Sequence, residues 1–310
     1  MKKAVTFLFS ISSLLLTTGC FTGIESTPKI TAADVKQENV VITDEDRYLS
    51  DISAEPFAKW SPGKQFIVTD EKISLIFGAS ASQSSPAAGS VITYSGYREA
   101  PDLTGSTATD ILFTSSDGAE YSYRISASPD ELSKRGKINI PFTIEQSIVD
   151  ATAGQLKDRT FYTRTSVWYD DSDRLTYGRR FVPVTVTDVL PGNSVYPVKL
   201  VFTDNTGNTD KAYHLFLSVG DSDNSTRNFA SLFYFDNPRK LYPNITDTNW
   251  QNIINGRVAL DMTREECRLA LGSPSDVVRR PDYDKVQEVW SYDDGVYLMF
   301  EDGILRNFRK

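Results

Sequence analysis

General acid–base or nucleophilic catalysis needs a group poised near neutral pH, most often histidine, and the 310-residue chain has only His214. It sits in Ala212-Tyr213-His214-Leu215-Phe216-Leu217, which reads as a strand, with no Gly-x-Ser-x-Gly elbow or nucleophilic cysteine to accompany it. The two cysteines are Cys20 and Cys267. Asp170-Asp171-Ser172-Asp173 and Asp221-Ser222-Asp223-Asn224 offer oxygens of the kind calcium accepts, but lack the spaced acids, central glycine and closing glutamate of a helix–loop–helix site, so solvated turns are expected. The ligand set for zinc is missing, and no metal or other cofactor is expected. An acid pair of the glycosidase type has 41 Asp and Glu to draw on, and nothing singles out two of them. Trp168, Tyr169, Tyr177 and Tyr196 are the candidate ligand-binding residues, as rings that would stack on glycan or peptide; packing of a β core is the competing use for the same rings.

Cys20 carries the clearest chemistry. Lys2 and Lys3 open the chain, Ala4 to Leu16 is apolar, and Thr17-Thr18-Gly19-Cys20 follows, the layout of a bacterial lipoprotein signal. Cleavage of residues 1–19 would free an α-amine on Cys20, whose sulfur carries diacylglycerol, and two or three acyl chains hold where one would not. An ordinary secretory cut near Gly19 would leave a plain thiol; both routes place the protein outside the cytoplasm. Loss of Lys2 and Lys3 takes the formal charge from −8 to −10. An acidic chain without a basic stripe argues against nucleic acid and against electrostatic docking on anionic lipid. If Cys20 is lipidated, Cys267 has no partner for an internal disulfide, and packing alone must stabilise the fold.

The elements that position these groups read as mainly β with an α+β C-terminus. After the signal (1–19), a tether and short helices are expected in 20–56. Thr31-x-x-Asp34 and Thr43-x-x-Asp46 are helix-start signatures for helices near 32–39 and 44–53. β-Branched and aromatic runs then predict strands at Gln65–Val68, Ile73–Phe77, Val91–Tyr94, Ile111–Thr114 and Tyr121–Ile125, with Asp117-Gly118 turning the last hairpin, and Ser128-Pro129-x-Glu131 opens a short helix. Domains are expected at 57–150 and 151–240, each a small antiparallel barrel or roll. Ser61–Thr69 is echoed by Gln155–Thr163, and Ile111–Gly118 by Leu200–Gly207, so 57–127 and 155–220 read as two related modules, unless shared hairpin grammar alone produced the likeness. The second module resembles an SH3-type barrel in its alternation of Tyr162, Trp168-Tyr169 and Phe181-Val182-Pro183-Val184.

Residues 241–310 form the last domain. A helix capped at Asp247 or Thr248 runs through Trp250 and Ile254 to Gly256; Thr263-x-x-Glu266 boxes a second that ends at Gly272 and Pro274; three strands follow, turned at Asp294-Gly295 and Asp302-Gly303. Met262-Thr263, Leu271-Gly272-x-Pro274, Trp290-x-Tyr292 and Phe300-x-Asp302-Gly303 resemble the SmpA/OmlA (BamE-like) family over about 50 residues. The resemblance implies a helix–helix–three-strand module, a layout shared with β-lactamase-inhibitor-like folds, in small outer-membrane lipoproteins that accompany barrel assembly. The combined expectation is a non-enzymatic, lipid-anchored outer-membrane protein, on either face, whose partners are envelope proteins; the alternative is a glycan- or peptidoglycan-binding lipoprotein.

Overall fold

Short alternating runs broken by turns fold into two antiparallel sheets of one design. The first holds β1 (Gln65–Val68), β2 (Phe77–Gly78), β3 (Val91–Pro101), β4 (Thr107–Ser115), β5 (Glu120–Ile125) and β6 (Thr143–Glu145), in the spatial order β2-β5-β4-β3-β1-β6. The second holds β7 (Thr160–Thr163), β8 (Val167–Tyr169), β9 (Leu175–Tyr177), β10 (Pro183–Pro191), β11 (Val198–Asp204), β12 (Ala212–Leu217) and β13 (Phe233–Tyr234), ordered β13-β7-β10-β11-β12-β8-β9. With the added β9 set aside, both orders read sixth, first, third, fourth, fifth, second. The computed structural model describes residues 42–78, 85–102, 105–207, 210–220, 225–282 and 285–309. The signal, Cys20, the tether, the helix expected near 32–39 and the turn at Asp221–Asn224 lie outside these.

Register extends the match from topology to residues. In the first sheet the β3–β4 ladder slips just after Tyr94↔Phe113; in the second the β10–β11 ladder slips just after Val186↔Phe202. A bulge bends its strand, so the two sheets bend at the same place. Counting from these bulges, Gln65↔Thr93 corresponds to Thr160↔Thr185 and Gly78↔Ser122 to Tyr169↔His214. Phe66 therefore stands where Phe161 does, and Phe77 where Trp168 does. The echo read from sequence is right between β4 and β11 and one residue out between β1 and β7. Both sheets are open, with a curled half-barrel where closed barrels or rolls were expected.

Several local expectations shift. Ile73–Phe77 alternates like a strand, yet Asp70 accepts a hydrogen bond from Lys72 N (2.9 Å) and starts a 3-10 turn over Glu71–Leu75, which leaves only Phe77 and Gly78 in the sheet. The helix expected over 44–53 is α1 (Asp44–Arg47), capped by Thr43; it stops early because Leu49 turns left-handed (φ +66°) and enters the core. α2 (Pro129–Arg135) has the expected Ser128/Glu131 box. α3 (Gln146–Leu156) spans the expected boundary at 150/151 and lies against β1 and β10. α4 (Phe229–Leu232) precedes β13.

At the C-terminus, α5 (Asp247–Ile254) is capped by Thr246, one residue ahead of the expected cap, and α6 (Arg264–Leu271) by the reciprocal Thr263/Glu266 pair (2.7 and 3.2 Å). The meander has four strands, β14 (Asp276–Asp282), β15 (Lys285–Ser291), β16 (Tyr297–Glu301) and β17 (Ile304–Arg309), not three. β14 escapes the pattern because Arg279, Arg280 and Pro281 interrupt its apolar run, residues that suit an edge strand.

Three apolar clusters result, and particular residues join them. Phe66 and Val68 face the first, whereas Ile67 between them belongs to the second; Val182 belongs to the second and its neighbour Phe181 to the third. Ile42–Lys310 is accordingly one compact unit. Removing the α6 cap tests the C-terminal module: Thr263→Ala should lower unfolding stability by about 1 kcal/mol, and Thr263→Ser by much less, in urea titrations followed by tryptophan fluorescence.

Candidate functional site

The four aromatic candidates separate into three settings. Trp168 is only 1% exposed. Its Nε1 donates to Thr165 O (3.0 Å), and its ring meets Phe202 and Tyr213 at 5.2 and 5.1 Å. Phe77, its counterpart, meets Phe113 and Tyr121 at 5.6 Å each, so this position is a core anchor in both sheets. Gly178 seals the indole: a Cβ there would lie 1.9 Å from the ring. Trp168 is therefore withdrawn as a ligand-binding residue; it is enclosed by its own sheet.

Tyr169 and Tyr196 belong to a second group. Tyr169 stacks on His214 (5.4 Å, 19°), Tyr196 stacks on Phe216 (6.5 Å, 28°), and the Arg227 guanidinium lies 5.7 and 5.3 Å from the two tyrosine rings. His214 is 3% exposed. Its Nε2 lies 2.9 Å from Asp173 Oδ1 but outside hydrogen-bond geometry, and Lys199 takes the same oxygen at 2.7 Å. Burial, then the Lys199 charge, hold the imidazole below its ordinary pKa, outweighing the Asp173 carboxylate. His214 is thus packed into its sheet between Tyr169 and Phe216. In the neighbouring turn Asp170 Oδ1 accepts from Ser172 N and Arg174 N, both at 3.0 Å, so this carboxylate closes the β8–β9 hairpin. Among the described residues no three of His, Cys, Asp and Glu gather as metal ligands. Cys267 is fully buried, its thiol pushed up to about 12 by burial and then by Glu266.

Tyr177 is the third setting. It is 83% exposed, on β9, at the lip of a cavity of about 370 Å³. Ser166 and Gly178, Asn255 and Gly256 just past α5, Ala270 and Leu271 ending α6, and Tyr292, Asp294 and Val296 line it. Arg180 lines the same cavity. Its Nε is buried without a hydrogen-bond partner, and Nη1 reaches Leu269 O only at 3.4 Å. Burial lowers the guanidinium pKa from its ordinary value, and Tyr292, whose own hydroxyl is pushed up to about 12 by burial, is the neighbour that opposes this.

The backbone around Arg180 is held from β7. Thr163 Oγ1 donates to Arg179 O (2.8 Å), and Phe181 N donates to Thr163 O (2.7 Å) while Phe181 is left-handed at φ +59°. Sequence reasoning missed Arg180. An Arg-Arg pair between Gly178 and Phe181 has no period, and what distinguishes the two arginines, the Asp204 partner of Arg179 (2.5 Å), comes from 25 residues away. As a ligand-binding candidate, the sequence brings forward Tyr177 alone of the residues at this cavity.

No protein-family model matches the chain, and neither a curated protein nor a solved structure matches it.

Two outcomes follow from these settings. Trp168→Ala should cost about 4 kcal/mol of stability, as expected for a large ring removed from a core, whereas Tyr177→Ala should leave the unfolding midpoint unchanged. For His214 the folded pKa lies below the unfolded 6.5, so the unfolded state binds the extra proton. Stability should be complete above pH 6.5, fall as pH drops through that value, and level off below the folded pKa. Urea midpoints taken across this range should show the slope, and His214→Gln should flatten it.

Proposed function

We propose that this chain is a lipid-anchored, non-catalytic protein of the bacterial outer membrane that acts by binding, with the cavity under Tyr177 and Arg180 as its binding site. The N-terminal signal ending in Cys20 supports the anchor and the export. The two capped helices followed by an antiparallel meander support an SmpA/OmlA-like reading of the C-terminal module, and with it a place among envelope proteins. The single observation that carries binding is the pairing inside one cavity of an exposed aromatic ring with a guanidinium whose Nε is buried without an acceptor. A concave site with a few convergent polar groups is the ordinary form of a ligand site, and burying unmet donors disfavours the empty state.

The leading partner class is another envelope protein that places a side chain or chain end in the cavity. A second reading, glycan or peptidoglycan, is favoured by Tyr177, whose open ring suits a sugar face; of the four aromatics first considered, it rests on this one. A photo-crosslinking amino acid at position 177, in cells carrying the lipidated protein, tests both readings. Capture of defined envelope proteins that is lost with Cys20→Ala is the expected result, and attachment to glycan strands would favour the second. No adduct from position 177 would remove both envelope proteins and glycan strands as partners of the cavity.

A further inference from the structure

Resting on that binding reading, we infer that the Arg180 cavity takes a small ligand bearing one carboxylate, with N–H or O–H donors on the atoms beside it. The carboxylate follows from Arg180 itself. Several other arginines have acid partners: Arg179 bonds Asp204 through Nε and Nη2 (3.1 and 2.5 Å), Arg98 and Arg124 share Asp110, and Arg264 and Arg279 share Glu288. Arg164 and Arg227 each have, like Arg180, one nitrogen buried without an acceptor, but both lie over tyrosine rings. Arg180 has neither an acid nor a ring partner among the described residues, only the long contact to Leu269 O. A planar fork with unmet donors fits the two oxygens of a carboxylate.

The donors on the ligand follow from the helix ends that line the cavity. α5 and α6 both end at the cavity, and their C-termini carry the negative end of the helix dipole, with Asp294 adding a carboxylate to the rim. Such a wall repels a compact, multiply charged anion such as phosphate and accepts N–H or O–H groups. Acylated amino acids and sugar acids both have that chemistry. A volume of about 370 Å³ suits molecules of this size, Leu271 and Val296 supply apolar contact, and Tyr177 offers a ring face at the mouth.

The experiment is a titration of the full chain in detergent micelles, read from the Arg180 Nε–Hε signal in ¹⁵N–¹H NMR spectra, assigned with Arg180→Lys. The probes are N-acetyl-L-alanine and D-glucuronate, each against its methyl ester, with inorganic phosphate as the compact anion. At least one acid should shift the signal with a Kd of roughly millimolar, and its ester should bind about tenfold more weakly or worse. Arg180→Lys, which keeps the charge but loses the fork, should weaken binding about tenfold, and Tyr177→Ala should weaken it without altering the fold. A response to N-acetyl-L-alanine alone assigns the site to a peptide-type acid, to glucuronate alone a sugar acid, and to both the shared class. An unmoved signal with both acids, esters equal to acids, or phosphate as effective as the acids would overturn the inference. Where Arg180→Lys fails to fold, triple-resonance spectra of the wild-type chain assign the signal, and its response decides. Adducts from position 177 together with an unmoved Arg180 signal would leave the binding reading standing and remove the carboxylate; a shifted signal without adducts would keep the ligand and remove the envelope partner.

Discussion

Four consecutive residues, Arg179 to Val182, have to face four different surroundings, and the arrangement of the C-terminal half depends on how the backbone allows it. Arg179 goes to Asp204, Arg180 to the cavity, Phe181 to the third core and Val182 to the second. A regular strand offers only two sides. The left-handed Phe181 supplies the additional turn, a conformation that a bulky residue adopts only when its surroundings impose it. Thr163, fully buried on β7, is what imposes it, through its hydroxyl on Arg179 O and its carbonyl on Phe181 N. Packing of Phe181 against Trp250, at 5.5 Å, then ties α5 to the second sheet. The cavity lies beside that turn, lined by residues of β9 and the ends of α5 and α6.

The same economy joins the two sheets. β1 buries Phe66 and Val68 on one face and Ile67 on the other, so its neighbours must include both a sheet core and the α3 layer. Antiparallel strands with one wet face alternate; β1 does not, because both of its faces are covered. The corresponding strand β7 keeps Phe161 in the shared core position and uses Thr163, at the place of Val68, as the backbone clamp described above. The two like sheets therefore differ at the strand that contacts whatever comes next along the chain: apolar on both faces in the first, a hydrogen-bonding clamp in the second. The β9 hairpin is the other departure. It brings Gly178 flat onto Trp168 and sets Tyr177 at the cavity mouth.

What was legible in the sequence was local. Thr43/Asp46, Ser128/Glu131 and Thr263/Glu266 marked helix starts because a capping box closes within one turn of chain. Gly118, Gly295 and Gly303 marked hairpins because each takes the positive φ its turn demands. Long-range competition was not legible. Ile73–Phe77 has the alternation of a strand, and the Asp70 side chain overrides it. Trp168 and Tyr177 are both aromatic residues of one hairpin, yet one is sealed and the other open, because the register that places Gly178 over the indole involves contacts that no spacing displays. Arg180 was silent for the same reason: that it forms no ion pair with an acid among the described residues is a property of the fold.

An alternative role for Arg180 is that of a cation closing the α6 C-terminus, where a positive charge is favourable. Geometry gives that role little. The α6 end is already arranged without it: Gly272 turns the chain at φ +90° and donates to Arg268 O at 2.8 Å, and Tyr292 donates to Gly272 O at 3.2 Å. The Arg180 contact to Leu269 O, at 3.4 Å, is the longest of the three. A guanidinium placed for capping alone would gain more by staying in water, where its remaining donors are met, than by entering a cavity where burial disfavours its charge. The Thr163 clamp nonetheless holds the chain so that the side chain enters. That balance becomes favourable when an anion with matching oxygens arrives, and the helix ends that oppose a bare anion are the same groups that accept the donors beside its carboxylate.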